Sequence, residues 1–498
     1  MRLSELLKKI HYRHLSGDPD PEIKGVAFDS RDLHAGDLFV CIRGRMHDGH
    51  RYIPEAQKKG AVCIVVEDFA SCTEEERCAA AQMTVIETDS TRLALAEISA
   101  AWFGYPAEEL KTIGITGTKG KTTSAYMIRS ILENAGMKVG LISTIEMIIG
   151  EKHIKAENTT PESYRIQEAF REMVDAGCNV VVVEVSSQAL LMERVSGFTF
   201  DFGIFTNIES DHISPQEHAD FEEYLACKKK LLSRSRIGIV NRDDPRFLDI
   251  TEGAGCPIET YGFHPEADYR AENEMLIAKP GYLGITYNAL GREKLEVSID
   301  IPGRFSVYNS LAAIAVCHHF CVSRENILAA LKGAKIRGRI ELIPVSDEFT
   351  LLIDYAHNAM SLENLLVTLR EYHPARLICL FGCGGDRDRS RRFEMGEISG
   401  RRADFTILTS DNPRFEDPQM ILDDIQKGID RTSGEYVIIP DRKKAIRYAL
   451  GMGEPGDIIV LAGKGHEDCL EINGKKIPMD ERELIREILE EQGNPEDP

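Results

Sequence analysis

An apolar strand-like run, Thr112-Ile113-Gly114-Ile115-Thr116, leads directly into Gly117-Thr118-Lys119-Gly120-Lys121-Thr122-Thr123. The segment SAYMIRSILENAG follows with helical spacing and stops at Gly136. Strand, glycine loop, Lys-Thr and helix together make a phosphate cradle, in which backbone N–H groups and a helix N-terminus face an anion. In such a cradle Lys121 places a point charge on the β/γ-phosphates and Thr122 offers a hydroxyl to Mg²⁺. The spacing is not the ordinary GxxxxGK[ST]. The first loop position of that pattern falls on Ile115, and the chain reads GxxGxxGKTT instead.

The pattern around this loop is one of strands alternating with helices, which indicates parallel sheets covered on both faces. The chain has 498 residues, enough for about three domains with cores of their own. Residues 1–109 form a first, smaller α/β unit, with short strands at 28–30, 37–42 and 61–66 and a helix at 52–59. Residues 110–336 carry the phosphate loop on a P-loop-ATPase-like parallel sheet, whose β-branched run 179–185 reads as a central strand. Further strands are expected at 202–206 and 237–240, and a helix at 305–320. Residues 337–498 form a doubly wound, Rossmann-like domain with strands at 349–355, 377–381, 404–409, 436–440 and 457–462. The tail from Glu490 reads as disordered, and residues 1–15 as an amphipathic helix rather than a signal peptide.

Composition narrows the function classes. A formal net charge of −21 disfavours a nucleic-acid partner, which demands basic surface. No apolar run reaches the ~18 residues of a membrane span, so a cytoplasmic protein without membrane insertion is expected. The twelve cysteines are scattered and form no pair of CxxC knuckles, as reduced, buried thiols would be. Cys317-His318-His319-Phe320-Cys321 closes an alanine-rich helical segment and reads as packing rather than as a zinc site.

Other polar signatures stand where parallel strands end, which is where ligands of such sheets bind. Glu184 closes the strand NVVVVEV and suits a Mg²⁺ ligand, or is a solvated acid at a strand end. Asp211-His212 follows another strand; His is an unusual ligand for a hard cation. Thr159 and Thr160 either donate to an anion or cap the helix that follows. Lys228, flanked by Lys229 and Lys230, reads on its own as part of a solvated cationic face. In the last domain DYAH, FGCGGDRD, TSDNPR and AGKGHED all follow strands. Arg387 and Arg414 there can grip a carboxylate bidentately, which points to an anionic or zwitterionic small substrate.

These residues carry a family resemblance over nearly the whole chain. GITGTKGKTT, NTT at 158–160, EVSS at 184–187, Asp211-His212, YLACK at 224–228, the Asn309 segment, GRIE at 338–341 and DYAH at 354–357 resemble, in order, the Mur ligases. These are ATP-dependent enzymes that add amino acids to the cell-wall precursor UDP-N-acetylmuramic acid. DSR at 29–31, GGDRD, DNPRFEDP and AGKGHED resemble the MurE type, and DNPR the form that adds meso-diaminopimelate rather than L-lysine.

The resemblance implies an ATP-dependent ligase working through an acyl phosphate on UDP-MurNAc-L-Ala-D-Glu, in peptidoglycan precursor synthesis, most simply as a monomer. It places Gly117, Thr118, Lys119, Gly120, Lys121, Thr122, Thr123, Asn309 and Arg339 on ATP. Thr122, Glu184, His212 and a carbamylated Lys228 would hold Mg²⁺. Ser30, Thr159, Thr160, Ser186 and Arg194 would bind the UDP-sugar peptide. Arg387, Asp411, Asn412, Arg414, Gly463 and Glu467 would bind the incoming amino acid. Gln188, Asn358-Ala359-Met360, SPQEH after His212 and Arg337 depart from the family pattern. A folylpolyglutamate synthase and a non-catalytic nucleotide or precursor sensor are the rival readings. The DSR unit and DNPR argue against the first, and Lys121, Glu184, His212 and Lys228 against the second.

Overall fold

The computed structural model describes residues 1–44, 47–210 and 218–493. It forms two compact units, Met1–Asp268 with Ala312–Val322, and Tyr269–Leu311 with the residues from Ser323 onward.

The first unit holds two sheets. The N-terminal one orders its strands as Tyr12–Ser16, Thr84–Thr88, Cys63–Val66, Leu38–Val40 and Val26–Ala27. All pair in parallel except the first. Leu38, Val40, Cys63 and Val65 pack into one buried cluster, while Phe39, Ile64 and Val66 pack into another. Side chains alternate across a strand, so a continuous apolar run serves both faces at once. The expected N-terminal helix is cut short. Only Leu3–Leu6 is helical, and Tyr12–Ser16 becomes an edge strand against Thr84–Thr88. Backbone partners on the open sheet edge outweigh a weak local helical pattern there.

The central sheet of this unit runs Ile258–Gly262, Ser235–Asn241, Phe200–Phe205, Lys111–Thr116, Val180–Glu184, Val139–Ile142, Glu146–Ile149 and Lys152–Lys155. Its first six strands are parallel and its last two antiparallel. The strand Val180–Glu184 is buried throughout. Register sets Glu184 opposite Ile115, and Phe205 opposite Thr116. The strand that launches the phosphate loop therefore has the ends of two neighbours beside it.

In the second unit Tyr269–Lys279, Tyr282–Gly291 and Leu295–Ile299 form an antiparallel meander that the sequence reading did not contain. A six-stranded sheet follows, ordered Glu341–Ile343, Thr350–Asp354, Ile458–Ala462, Leu377–Phe381, Phe405–Leu408 and Glu435–Ile438, parallel except at its first strand. The helix Glu481–Gly493 enters the stretch expected to be disordered, because Ile485 and Ile488 anchor it in the core of this sheet.

Candidate active site

The phosphate loop is braced from the end of the adjacent strand. Gly120 caps the helix Lys121–Asn134 at φ 85° and Gly117 has φ 143°. A Cβ on Gly117 would fall 1.9 Å from Thr206 Oγ1, so both positions need glycine. Thr206 Oγ1 donates to Lys119 O at 2.7 Å, and Asn207 Oδ1 accepts from Lys119 N at 2.9 Å. Thr118 N donates to Asn207 O at 2.9 Å, and Lys119 Nζ pairs with Glu209 at 2.7 Å. Lys121 Nζ curls back onto the carbonyls of Gly117 (2.8 Å) and Thr118 (3.0 Å).

Glu184 is the hub beside it. The residue is fully buried, which rules out the solvated-acid reading. Its Oε2 accepts from Thr122 Oγ1 at 2.9 Å and Thr144 Oγ1 at 3.1 Å, and its Oε1 from Thr144 N at 3.1 Å. Thr159 Oγ1 lies 3.1 Å from Thr144 Oγ1. Thr160 does not cap the following helix, whose N-cap is Glu162. Its hydroxyl donates to Glu184 O at 2.7 Å and accepts from Ser186 N at 3.1 Å. Thr122, Thr159, Thr160, Glu184 and Ser186 thus come together in one hydrogen-bonded set.

Lys228 is 2% exposed, which overturns the solvated-face reading. The helix Phe221–Ser233 turns it inward, where Nζ donates to Gly117 O at 2.8 Å and sits 4.9 Å from the Tyr224 ring centroid. Lys121 and Lys228 therefore donate to the same carbonyl oxygen. Asp211 and His212 lie outside the described residues.

Ser30 lines a cavity of about 480 Å³ with Phe28, Arg31, His47, Tyr52 and Glu162. Glu162 ties that cavity to the Glu184 set. Its Oε1 accepts from Arg194 Nε at 2.9 Å, and Arg194 Nη1 donates to Thr160 O at 3.0 Å. The donors of His218, Glu223 and Cys227 also gather within 4.8 Å of one another. His218 Nε2 meets Ser187 Oγ at 2.9 Å, and Glu223 accepts from Ala219 N at 2.7 Å.

In the second unit the loops after Thr350–Asp354, Leu377–Phe381, Phe405–Leu408 and Ile458–Ala462 supply another cluster. Asn412 Nδ2 donates to Glu467 Oε2 at 2.8 Å. Arg414, at φ 52°, pairs through Nε with Glu471 Oε2 at 3.1 Å and donates through Nη1 to Gly385 O. Gly463 has φ 103°, and its absent Cβ would stand 3.0 Å from Asp411 Oδ2. Arg387 is exposed and forms no ion pair among the described residues. Arg339 lies over the Tyr355 ring at 5.0 Å, and His357 and His466 each stack 4.6 Å from that ring. Asn309 is buried on the helix Arg304–His318. Burial raises the Glu467 carboxyl, but the charge and hydrogen bond of Lys464 outweigh it and hold the group below its ordinary value. Burial, then Arg339, pulls His466 down to about 4.

Sequence reasoning missed Arg442. It is 4% exposed and joins the two loops that carry DNPR and GKGHE, donating to Ser410 O at 3.0 Å and Ala462 O at 3.1 Å while pairing with buried Glu481. It sits in DRKKAI, which gives no local signal beyond a charged helix start.

Three family models match in chain order: "Mur ligase family, catalytic domain" over residues 22–103, "Mur ligase middle domain" over 115–317, and "Mur ligase, glutamate ligase domain" over 338–465. A UDP-N-acetylmuramoyl-L-alanyl-D-glutamate–2,6-diaminopimelate ligase of Clostridium perfringens is 41% identical over 497 residues, covering 98% of this chain and 100% of that protein. The chain belongs to the Mur ligase family. A second ligase of the same name, from Caldanaerobacter subterraneus, is also 41% identical, over 99% of both chains. A solved ligase of that name superposes with a TM-score of 0.68 at 26% identity, covering 95% of this Mur ligase and 96% of the other chain. This Mur ligase is an ATP-dependent enzyme that forms an amide bond. No helix among its described residues is long and apolar enough to cross a membrane.

Proposed function

We propose that this Mur ligase joins meso-diaminopimelate to UDP-MurNAc-L-Ala-D-Glu, a step of peptidoglycan precursor synthesis carried out in the cytoplasm by a monomer with domains 1–109, 110–336 and 337–498. The observation that carries the amino-acid assignment is the set formed by Arg414, Asn412 and Glu467. A guanidinium, an amide donor and a carboxylate at parallel-strand ends match the carboxylate and ammonium of a free amino-acid terminus. The shared name of the relatives supports the same choice.

A carboxylate is a poor electrophile and needs activation. One oxygen of the D-glutamate side-chain carboxylate attacks the γ-phosphorus of ATP, the bond from that phosphorus to ADP breaks, and an acyl phosphate results. The amine of diaminopimelate then adds to the acyl carbon and loses a proton, phosphate leaves with the C–O bond electrons, and the amide remains. The loop N–H groups and Lys121 hold the triphosphate and meet its developing charge. Thr123 and Asn309 add nucleotide contacts, and Arg339 stacked on Tyr355 gives a flat cationic surface for the nucleotide. Ser30, Arg194, Thr160 and Ser186 orient the UDP-sugar peptide, with Thr159 facing the Glu184 set.

Oxygen donors suit Mg²⁺, and Thr122 with buried Glu184 fits it. An ammonium at Lys228 does not fit beside a cation, and two ammonium groups on Gly117 O repel each other. Addition of CO₂ to the neutral amine, with loss of a proton, makes Lys228 a carbamate. The carbamate oxygens of Lys228 would then hold Mg²⁺ together with Thr122, Glu184 and His212. Bound there, Mg²⁺ supplies positive charge to the phosphate oxygens.

The test is ADP release with UDP-MurNAc-dipeptide and a panel of amino acids. The expected result is turnover with meso-diaminopimelate far above that with L-lysine. Preference for lysine, or no ADP with any amino acid, overturns the reading.

A further inference from the structure

Lys464 is fully buried, and all three of its ammonium hydrogens are used within the protein. Nζ donates to Asn412 Oδ1 at 3.0 Å, Glu467 Oε2 at 2.7 Å and Cys469 O at 2.7 Å, with Asp411 Oδ1 3.8 Å away. No hydrogen is left for a substrate. What Lys464 fixes is the orientation of its neighbours. Asn412 Oδ1 accepts from Lys464 and from Glu471 N at 2.9 Å, so both its lone pairs are spent. A flipped amide would set NH₂ against two donors and its oxygen against a carboxylate. The Asn412 amide nitrogen must therefore face Glu467, donating one hydrogen to Oε2 at 2.8 Å and keeping the other. Glu467 Oε2 is held between Lys464 and Asn412, whereas Oε1 meets, among the described residues, the Tyr355 hydroxyl alone, at 3.5 Å.

We infer that Lys464 is a positioning residue that sets amino-acid specificity by locking Asn412 and Glu467 into a reader of one carboxylate and one ammonium. The locked pair presents one amide N–H beside the Arg414 guanidinium and one carboxylate oxygen. That combination fits an α-amino-acid terminus and penalises an amine that has no carboxylate beside it. Without the Lys464 charge, buried Asp411 and half-buried Glu467 would lose the cation they share, and the Asn412 amide would lose one of the two donors that hold its oxygen. The inference rests on the amino-acid site proposed above.

The experiment compares Lys464→Met, similar in length but uncharged, with Lys464→Gln, which keeps a donor. The full-length enzyme is assayed for each of its three substrates. Lys464→Met should raise KM for meso-diaminopimelate ~10- to 100-fold, the range expected for losing a charge-assisted hydrogen bond. KM for ATP and for the UDP-precursor should stay within about twofold, and the preference over L-lysine should fall. Lys464→Gln should recover part of both effects. Thermal melting checks the fold, and if Lys464→Met does not fold, Lys464→Gln and Lys464→Arg carry the comparison. A folded variant with unchanged KM and unchanged selectivity overturns the inference, as does a loss spread evenly over all three substrates. If the wild-type enzyme uses a different amino acid, the substrate assignment fails, and the KM of each variant for that amino acid still decides the role of Lys464.

Discussion

The phosphate-loop cluster and the amino-acid cluster are built on the same plan, polar groups at the ends of parallel strands, but they are held by different forces. Around the loop most restraints are backbone groups, hydroxyls and one amide, from Thr206, Asn207, Thr116 and Thr144, with the Lys119–Glu209 ion pair and the ammonium groups of Lys121 and Lys228 added on carboxylate and carbonyl oxygens. Around DNPR and GKGHE the restraints are charges, with Lys464 between Glu467 and Asp411, Arg414 on Glu471, and Arg442 on Glu481. A phosphate needs a fixed array of N–H groups whose geometry does not change during the reaction. An amino-acid zwitterion is better matched by charged side chains already oriented against internal counter-ions. On the proposed function, the first cluster serves rate and the second serves choice.

Breaking the first cluster should cost the most. Lys121→Ala and Lys228→Ala should each lower the rate of ADP release by ~10³-fold, as expected when a group facing transferring phosphate is lost. Added short carboxylic acids should partly restore Lys228→Ala and not Lys121→Ala, because only the former is expected to need an oxygen ligand. Full activity of Lys228→Ala would remove the carbamate from the scheme. Breaking the second cluster should act on recognition instead. Arg414→Ala should raise KM for meso-diaminopimelate ~10- to 100-fold with little change in KM for ATP. An equal rise in both would mean that the two clusters are not separable in function.

The same contrast explains what could be read from the chain. The loop motif is contiguous, so its strand, its glycines and Lys121 were legible from one ten-residue window. Strand Val180–Glu184 was legible because it is buried throughout and β-branched from Val180 to Val183. Lys228 was not, because Lys228, Lys229 and Lys230 look alike in sequence and only helix phase selects the one turned inward. The role of Lys464, in AGKGHED, was not legible either, since its contacts depend on Asn412 arriving from another loop and on the chain folding back to Cys469. Arg442 gave no signal, for its acceptors are backbone carbonyls of two distant segments. The strands of the meander at 269–299 alternate apolar and polar residues with many charges, and tertiary pairing decides their structure more than composition does. Tyr12–Ser16 was misread for the same reason.

The smallest effect concerns the edge of the second cluster. His466 packs against Tyr355 and feels Arg339, Arg337 and Arg482 on one side and Glu467 on the other. Burial is the largest influence, and with Arg339 it sets the imidazole at about 4 in the folded protein, against ~6.5 for an unfolded chain. Between those values the unfolded state binds a proton that the folded state refuses, so stability must fall as pH drops through that window. The slope from this one group approaches ~1.4 kcal/mol per pH unit at most. His466→Asn cannot titrate, so denaturant unfolding at pH 7 and pH 5 should show the wild type losing ~1–2 kcal/mol more than the variant over that interval. Melting of the Lys121→Ala protein should keep the wild-type slope, since that substitution leaves His466 and the groups around it in place. An identical pH slope in wild type and His466→Asn would mean that the imidazole is free to protonate, and that the amino-acid cluster is more open to water than its packing indicates.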